Sequence, residues 1–323
     1  MNRGPITAER FPTPALALRT DDPARQAPAR AFAHRQARAA EAARERLAGL
    51  WAAGTASPAR VDALRTVHRE LVDWRYRYAV RHGGPPGRQV PYLPERFRTP
   101  ITAANPNYDM FGPVERLREG SVWDPDAELF RGGLDTPAYR VMLRYGRYAE
   151  RRFARQAPGE DVLQNVVRLP DGRRVHGNRL LRGAAATRLY RELAARAEER
   201  GTDVRHLKAV GHPLYTVTAD PADNDTIFEA ALRLLAAPDL DGEGLLAAGY
   251  LLYQSPRTKK GSDAVTRTFL VTVGSLLLGD RAPRLPDDID LRCYVLDQDT
   301  ATRPAGHGAG RQADGPPLVG GVE

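Results

Sequence analysis

The stretch Gln254–Arg267, Gln-Ser-Pro-Arg-Thr-Lys-Lys-Gly-Ser-Asp-Ala-Val-Thr-Arg, decides how the chain is read. Before it lies an apolar helical run from about Gly244 to Tyr253, and after it Ser262–Leu278 opens a second helix. Between them stands a polar, basic loop containing a glycine. Gly261 lets a backbone approach a ligand closely, and Ser262 or Asp263 is expected to cap the new helix. Helix-terminal amides carry partial positive charge and favour phosphate. Lys259 and Lys260 lie beside that end, with Arg267 one turn further in. The composition sharpens this point, because the cations are overwhelmingly Arg and the lysines are only Lys208, Lys259 and Lys260. A chain that otherwise uses Arg keeps two compact ammonium groups at one loop, as a phosphate that moves during reaction would require. The bland alternative is a surface pair.

Working outward, Val162–Leu169, the Asp171-Gly172 turn and Arg173–His176 give a β-hairpin signal. A helix is expected at Ala184–Arg200, a short strand at Pro213–Thr218, and a helix at Thr226–Ala237 capped by Asn224 or Asp225. Upstream, helices are expected at Ala29–Ala53, from a Ser57 cap to a stop at His82-Gly83, and at Thr136–Arg155. A Pro-rich connection over Pro85–Asp109 is too long for an ordinary turn. Leu285–Leu296 reads as a short strand. The fold class is therefore α+β and mainly helical. The organisation is a tail over 1–27, a helical extension over 28–158, a core over 159–300 and a Gly/Pro-rich tail over 301–323.

The order hairpin, strand, helix, helix, basic loop, helix resembles the Fic/Doc (Fido) superfamily, over roughly residues 160–280. That family's signature is His-Pro-Phe, two residues, Gly-Asn-Gly-Arg, two residues, Arg. Here Ser255-Pro256 stands at the His-Pro, Gly261-Ser262-Asp263-Ala264 at the Gly-Asn-Gly-Arg, and Arg267 at the last Arg, with the loop one residue longer. The histidine that serves as general base is replaced by Gln254 or Ser255, and neither accepts a proton near neutral pH. The departures point to a divergent, AvrB-like branch that lacks the motif histidine. The resemblance implies a Fic-like helical core with a β-hairpin flap and an N-terminal helical extension. It implies a transferase that uses a nucleotide (ATP or a nucleotide-sugar), with or without Mg²⁺, to modify a hydroxyl on a protein or small molecule. Lys259, Lys260, Gly261, Ser262 and Arg267 would bind phosphate. Gln254, Ser255 and Asp263 are the catalytic positions to test, and His212 is a replacement base.

Two other readings compete. Gly274-Ser275, followed by Asp288-Ile289-Asp290-Leu291, resembles the Gly-Ser…Asp-x-Asp signature of Mg²⁺-dependent nucleotidyltransferases, which needs both carboxylates on one strand face. The other is a non-catalytic partner protein derived from a Fic-like ancestor. The net charge of +8 is spread through Ala-rich helices and paired with Glu, the pattern of a GC-rich bacterial genome. It is not a stripe that would grip nucleic acid. Trp74 and Tyr78 are read as a packing face. No apolar run approaches a membrane span, and Met1–Arg10 has no export-signal pattern, so a cytoplasmic protein is expected. His176, His206 and His212 match no metal spacing, and Cys293 reads as core.

Overall fold

The computed structural model describes residues 4–54, 56–83, 92–207 and 213–303. Helix starts follow local chemistry. Asp22 accepts from Ala24 N at 2.9 Å and Pro23 fills the first position, so α1 (Pro23–Ala53) begins earlier than Ala29. Ser57 is the first residue of α2 (Ser57–His82) rather than its cap. The Pro-rich connection leads into strand β1 (Tyr108–Phe111), and a separate hairpin follows, β2 (Val122–Asp124) with β3 (Leu129–Arg131). Thr136 caps α3 (Pro137–Gln156) through Tyr139 N at 3.1 Å.

The expected hairpin is β4 (Val162–Arg168) and β5 (Arg174–Leu181), with Gly172 supplying the positive φ of the turn. Then come α4 (Gly183–Glu198), β6 (Leu214–Val217), α5 (Pro221–Leu235), α6 (Gly242–Gln254) and α7 (Ser262–Leu277). α5 starts before the Asn224 or Asp225 cap expected for it, behind Asp220 and Pro221. The sheet is antiparallel in the order β1-β6-β5-β4, with Asp109 opposite Thr216. The mainly helical α+β class is thus present.

The N-terminal helices and the later ones share one core. Buried side chains of α1, α2, α5, α6 and α7 form a single hydrophobic cluster, including Leu47, Leu64, Ile227, Leu251 and Phe269. On α1, Ala33, Ala37, Ala40 and Ala43 form a stripe of small side chains against α7, close enough for Thr272 Oγ1 to donate to the Ala40 carbonyl at 3.3 Å. Each such Leu or Phe contributes about 1.5–3 kcal/mol on burial, so exposing this shared face would be prohibitive. β1 moreover completes the sheet of the later region, so residues 28–158 are integral to the fold. Two expectations for the ends change as well. Within 4–22, Ile6 and Phe11 are buried in the main cluster, so the segment expected as a tail is docked. Residues 304–323 of the expected C-terminal tail lie outside the described residues.

The strand expected at Leu285–Leu296 is instead a helix, α8 (Ile289–Val295), with Asp288 at its N-cap, followed by α9 (Gln298–Ala301). Leu285, Ile289 and Cys293 face the main cluster, while Leu291 and Val295 face a second one built on α3. A short helix wedged between two cores is apolar on both sides, and that mimics the alternation of a strand.

Candidate functional site

The loop after α6 is strapped from outside by the segment leading into β1. Lys259 N donates to Thr99 O at 3.0 Å, and Pro100 bridges to Thr258. Asn107 N donates to Thr218 Oγ1 at 3.1 Å, which ties the same strap to β6. The strap delivers Asp109 and the loop to one place. A cavity of about 10 Å³, room for one water, is lined by Asp109, Asn178, Thr216, Thr218, Gln254 and Tyr294.

Gln254 and Ser255 are not free to react. Gln254 is fully buried, accepting from Asn178 N at 2.9 Å and donating to Cys293 O at 2.7 Å, so it joins β5 to α8. Ser255 Oγ donates to Leu251 O at 2.7 Å and closes the end of α6. Arg267, expected at phosphate, is 1% exposed. Its Nε donates to Asp263 Oδ1 at 2.7 Å, and its two terminal nitrogens donate to the Pro286 and Asp287 carbonyls at 2.6 and 2.9 Å. Asp290 lies 3.8 Å away. Burial opposes the guanidinium charge, but Asp263, Tyr253 and Asp290 more than offset it and hold it charged. Arg267 is therefore a clamp holding the approach to α8 on α7. Asp263 also accepts from Tyr253 OH at 2.8 Å, so one of its oxygens serves both neighbours.

The rim of the loop is different. Residues 259–264 are all half-exposed. The cap of α7 is Gly261, in the left-handed region at φ 78°, rather than Ser262 or Asp263, and no side chain caps the helix. Ser262 Oγ turns back to Thr258 O at 3.0 Å. Among the described residues, the first amides of α7 find no intrahelical or side-chain acceptor. Lys259 Nζ donates to the Pro106 and Asn105 carbonyls. Burial, and then the charge of Arg96, lower its pKa to about 8. The Lys260 ammonium stands 5.9 Å from the ring centres of both Tyr92 and Phe97. Asp109 reaches solvent at the cleft mouth yet is ringed by protein, which raises its pKa against the opposing charges of Lys259 and Arg96.

The remaining sequence candidates lie apart from this rim. Asp288 Oδ2 accepts from Arg144 at 2.5 Å and from Tyr145 OH at 2.9 Å. Asp290 is buried two residues on, inside α8, so the two carboxylates do not share a strand face and the nucleotidyltransferase geometry is not present. Gly274-Ser275 sits inside α7. His212 lies outside the described residues. Cys293 is buried, as expected of a core residue. Among the described residues no group of three or more His, Cys, Asp or Glu side chains is placed to hold a metal. No described helix is long and apolar enough to cross a membrane. A wider groove of about 560 Å³ lies elsewhere, between the β4–β5 turn, α6 and α9. Asp109, Arg96 and Tyr294 were not singled out by sequence, since a lone acid in a four-residue strand carries no motif. No family model matches the chain, and no curated protein matches it.

Proposed function

We propose that the chain is a Fic-like transferase that holds an anionic donor, a nucleotide or nucleotide-sugar, at the 259–264 rim and passes its transferable group to a hydroxyl. The observation that supports this reading is the uncapped, half-exposed amide end of α7 with Lys259 and Lys260 on the turn that leads into it. Preorganised donors of this kind stabilise charge that grows on a leaving phosphate, and they cost no reorganisation during reaction. The phosphate role passes from Arg267 to the lysines and amides, because Arg267 is fully occupied within the fold. Mg²⁺ has a weaker case here. One Asp263 oxygen already serves Tyr253 and Arg267, and no step is assigned to the ion.

A thermal-shift panel of nucleotides and nucleotide-sugars, with and without Mg²⁺, tests the reading. At a hundredfold excess over Kd a ligand adds about 2.7 kcal/mol of stability. The expected result is a shift with at least one donor that disappears in the Lys259→Ala/Lys260→Ala variant. A shift that survives in that variant, or none at all, would sink it. The non-catalytic reading draws support from Gln254 and Ser255, whose side chains occupy the motif-histidine neighbourhood as buried structural links. Binding without turnover distinguishes it.

A further inference from the structure

We propose that Asp109 is the group that takes the proton from the acceptor hydroxyl. This inference rests on the transferase reading above and supplies the base that the loop itself lacks. The neighbouring candidates are committed elsewhere. Gln254 and Ser255 are buried in hydrogen bonds, Asp263 and Asp290 belong to the Arg267 clamp, and Asp288 is held by Arg144 and Tyr145. His68 is buried, its pKa lowered to about 4 by burial and then by Arg257, and it packs between the rings of Phe228 and Phe269. Asp109, by contrast, reaches solvent and accepts no hydrogen bond among the described residues.

Its position follows from topology. β1 pairs with β6 so that Asp109 stands opposite Thr216, and the strap before it is bonded to the basic loop through Lys259 and Asn107. The same cavity brings the Tyr294 ring and Pro256 beside the carboxylate. Thr216 and Thr218 on its wall accept from Asn178 and Asn107, and a hydroxyl takes no proton near neutral pH, so neither replaces the carboxylate as base. Burial and then Asp109 raise Tyr294 well above the phenol range, so it stays protonated and able to donate. An acceptor hydroxyl at the mouth would meet a carboxylate on one side and the loop that carries the donor on the other.

In the step, the acceptor oxygen forms a bond to the transferred group. The bond from that group to the leaving phosphate breaks, its electron pair remaining on the phosphate oxygen. The hydroxyl proton passes to Asp109, which later releases it to solvent.

The test incubates wild type, Asp109→Asn and Asp109→Glu with radiolabelled ATP, GTP, CTP, UTP and UDP-glucose. Transfer to serine-, threonine- and tyrosine-containing peptides, and to water, is followed from pH 6 to 9, alongside donor binding and melting temperature. The expectation is turnover by wild type and at least a hundredfold lower rate in Asp109→Asn with unchanged donor affinity. Part of the rate should return in Asp109→Glu with a shifted pH profile. Turnover by Asp109→Asn within threefold of wild type would overturn the role of Asp109 and leave the transferase reading standing. A wild type that binds a donor but never turns it over would also overturn the role. Failure of wild type to bind any donor would overturn both.

Discussion

Replacing Arg267 with Met separates a structural clamp from a ligand-binding arginine, because the two roles move different observables. The substitution keeps most of the apolar stem and removes a guanidinium that is 1% exposed. Three hydrogen bonds go with it, to Asp263, Pro286 O and Asp287 O. The two carbonyls belong to residues that are half-exposed or exposed, so water can replace those bonds at small cost. Asp263, with 27% of its side chain exposed, can also recover some solvation. Asp290 cannot, since its side chain is only 11% exposed and its Oδ1 already lacks a hydrogen bond. Removing one partner of a buried ion pair costs about 3–5 kcal/mol, mostly through the charge left behind. For a chain of this size that is a loss of roughly 6–10 °C in Tm, at about 2 °C per kcal/mol.

The deficit should depend on pH. Without the guanidinium the Asp290 carboxyl titrates higher still, so at pH 8 the variant bears the cost either of an unpaired charge or of keeping the carboxyl protonated. At pH 5 the carboxyl is protonated in both proteins and the pair contributes little. Thermal melts at both values should show a larger deficit at pH 8, and Asp290→Asn should recover part of it in the double variant. The assay is calorimetric or fluorescence melting, with nucleotide binding measured in parallel. A Tm within about 2 °C of wild type, together with lost nucleotide binding, would refute this reasoning and return Arg267 to the phosphate.

Three further outcomes are expected. In wild type, burial and then the charge of Asp263 raise Asp290 to about pKa 7, above its unfolded range. The folded state therefore binds more protons than the unfolded state between about pH 4 and 7, and this residue's contribution to stability falls as pH rises through that window; Asp290→Asn should flatten that part of the curve, and an unchanged curve would contradict it. Lys259 is held near pKa 8, so anion binding should weaken between pH 7 and 9, and Lys259→Arg should remove the dependence; titration of nucleotide affinity against pH checks this. Gly261→Ala places a methyl group 2.6 Å from the buried Phe97 ring at φ 78°. The conformation alone costs about 1–3 kcal/mol, so Tm should fall, and an unchanged melt would mean that the turn is built otherwise.

α3 was legible from the period of its apolar face. α6 and α7, buried on nearly every side, were legible from the length of their apolar runs on either side of Gln254–Lys260, although the cap of α7 is Gly261 and not the Ser262 or Asp263 expected. The hairpin was legible from Asp171-Gly172. α8 was not, because a seven-residue helix buried on two sides shows neither a clear period nor the run length that marked α6 and α7. The loop was located, but the division of labour within it was not. Whether Arg267 faces solvent or the 286–287 carbonyls is a tertiary fact, invisible to spacing along one helix. Asp109 was hidden for a related reason. Its environment comes from a strap that folds back across about 150 residues of sequence, and long-range closure leaves no local pattern.

The central claim is that donor phosphates sit at the rim of the loop. A crystal structure of the protein soaked with the nucleotide giving the largest thermal shift tests it most directly. The account predicts phosphate oxygens within hydrogen-bond reach of Lys259, Lys260 and the first amides of α7, with the acceptor side open toward Asp109. Nucleotide bound instead in the groove beside Arg168 and Gln298, with the 259–264 rim empty, would contradict it.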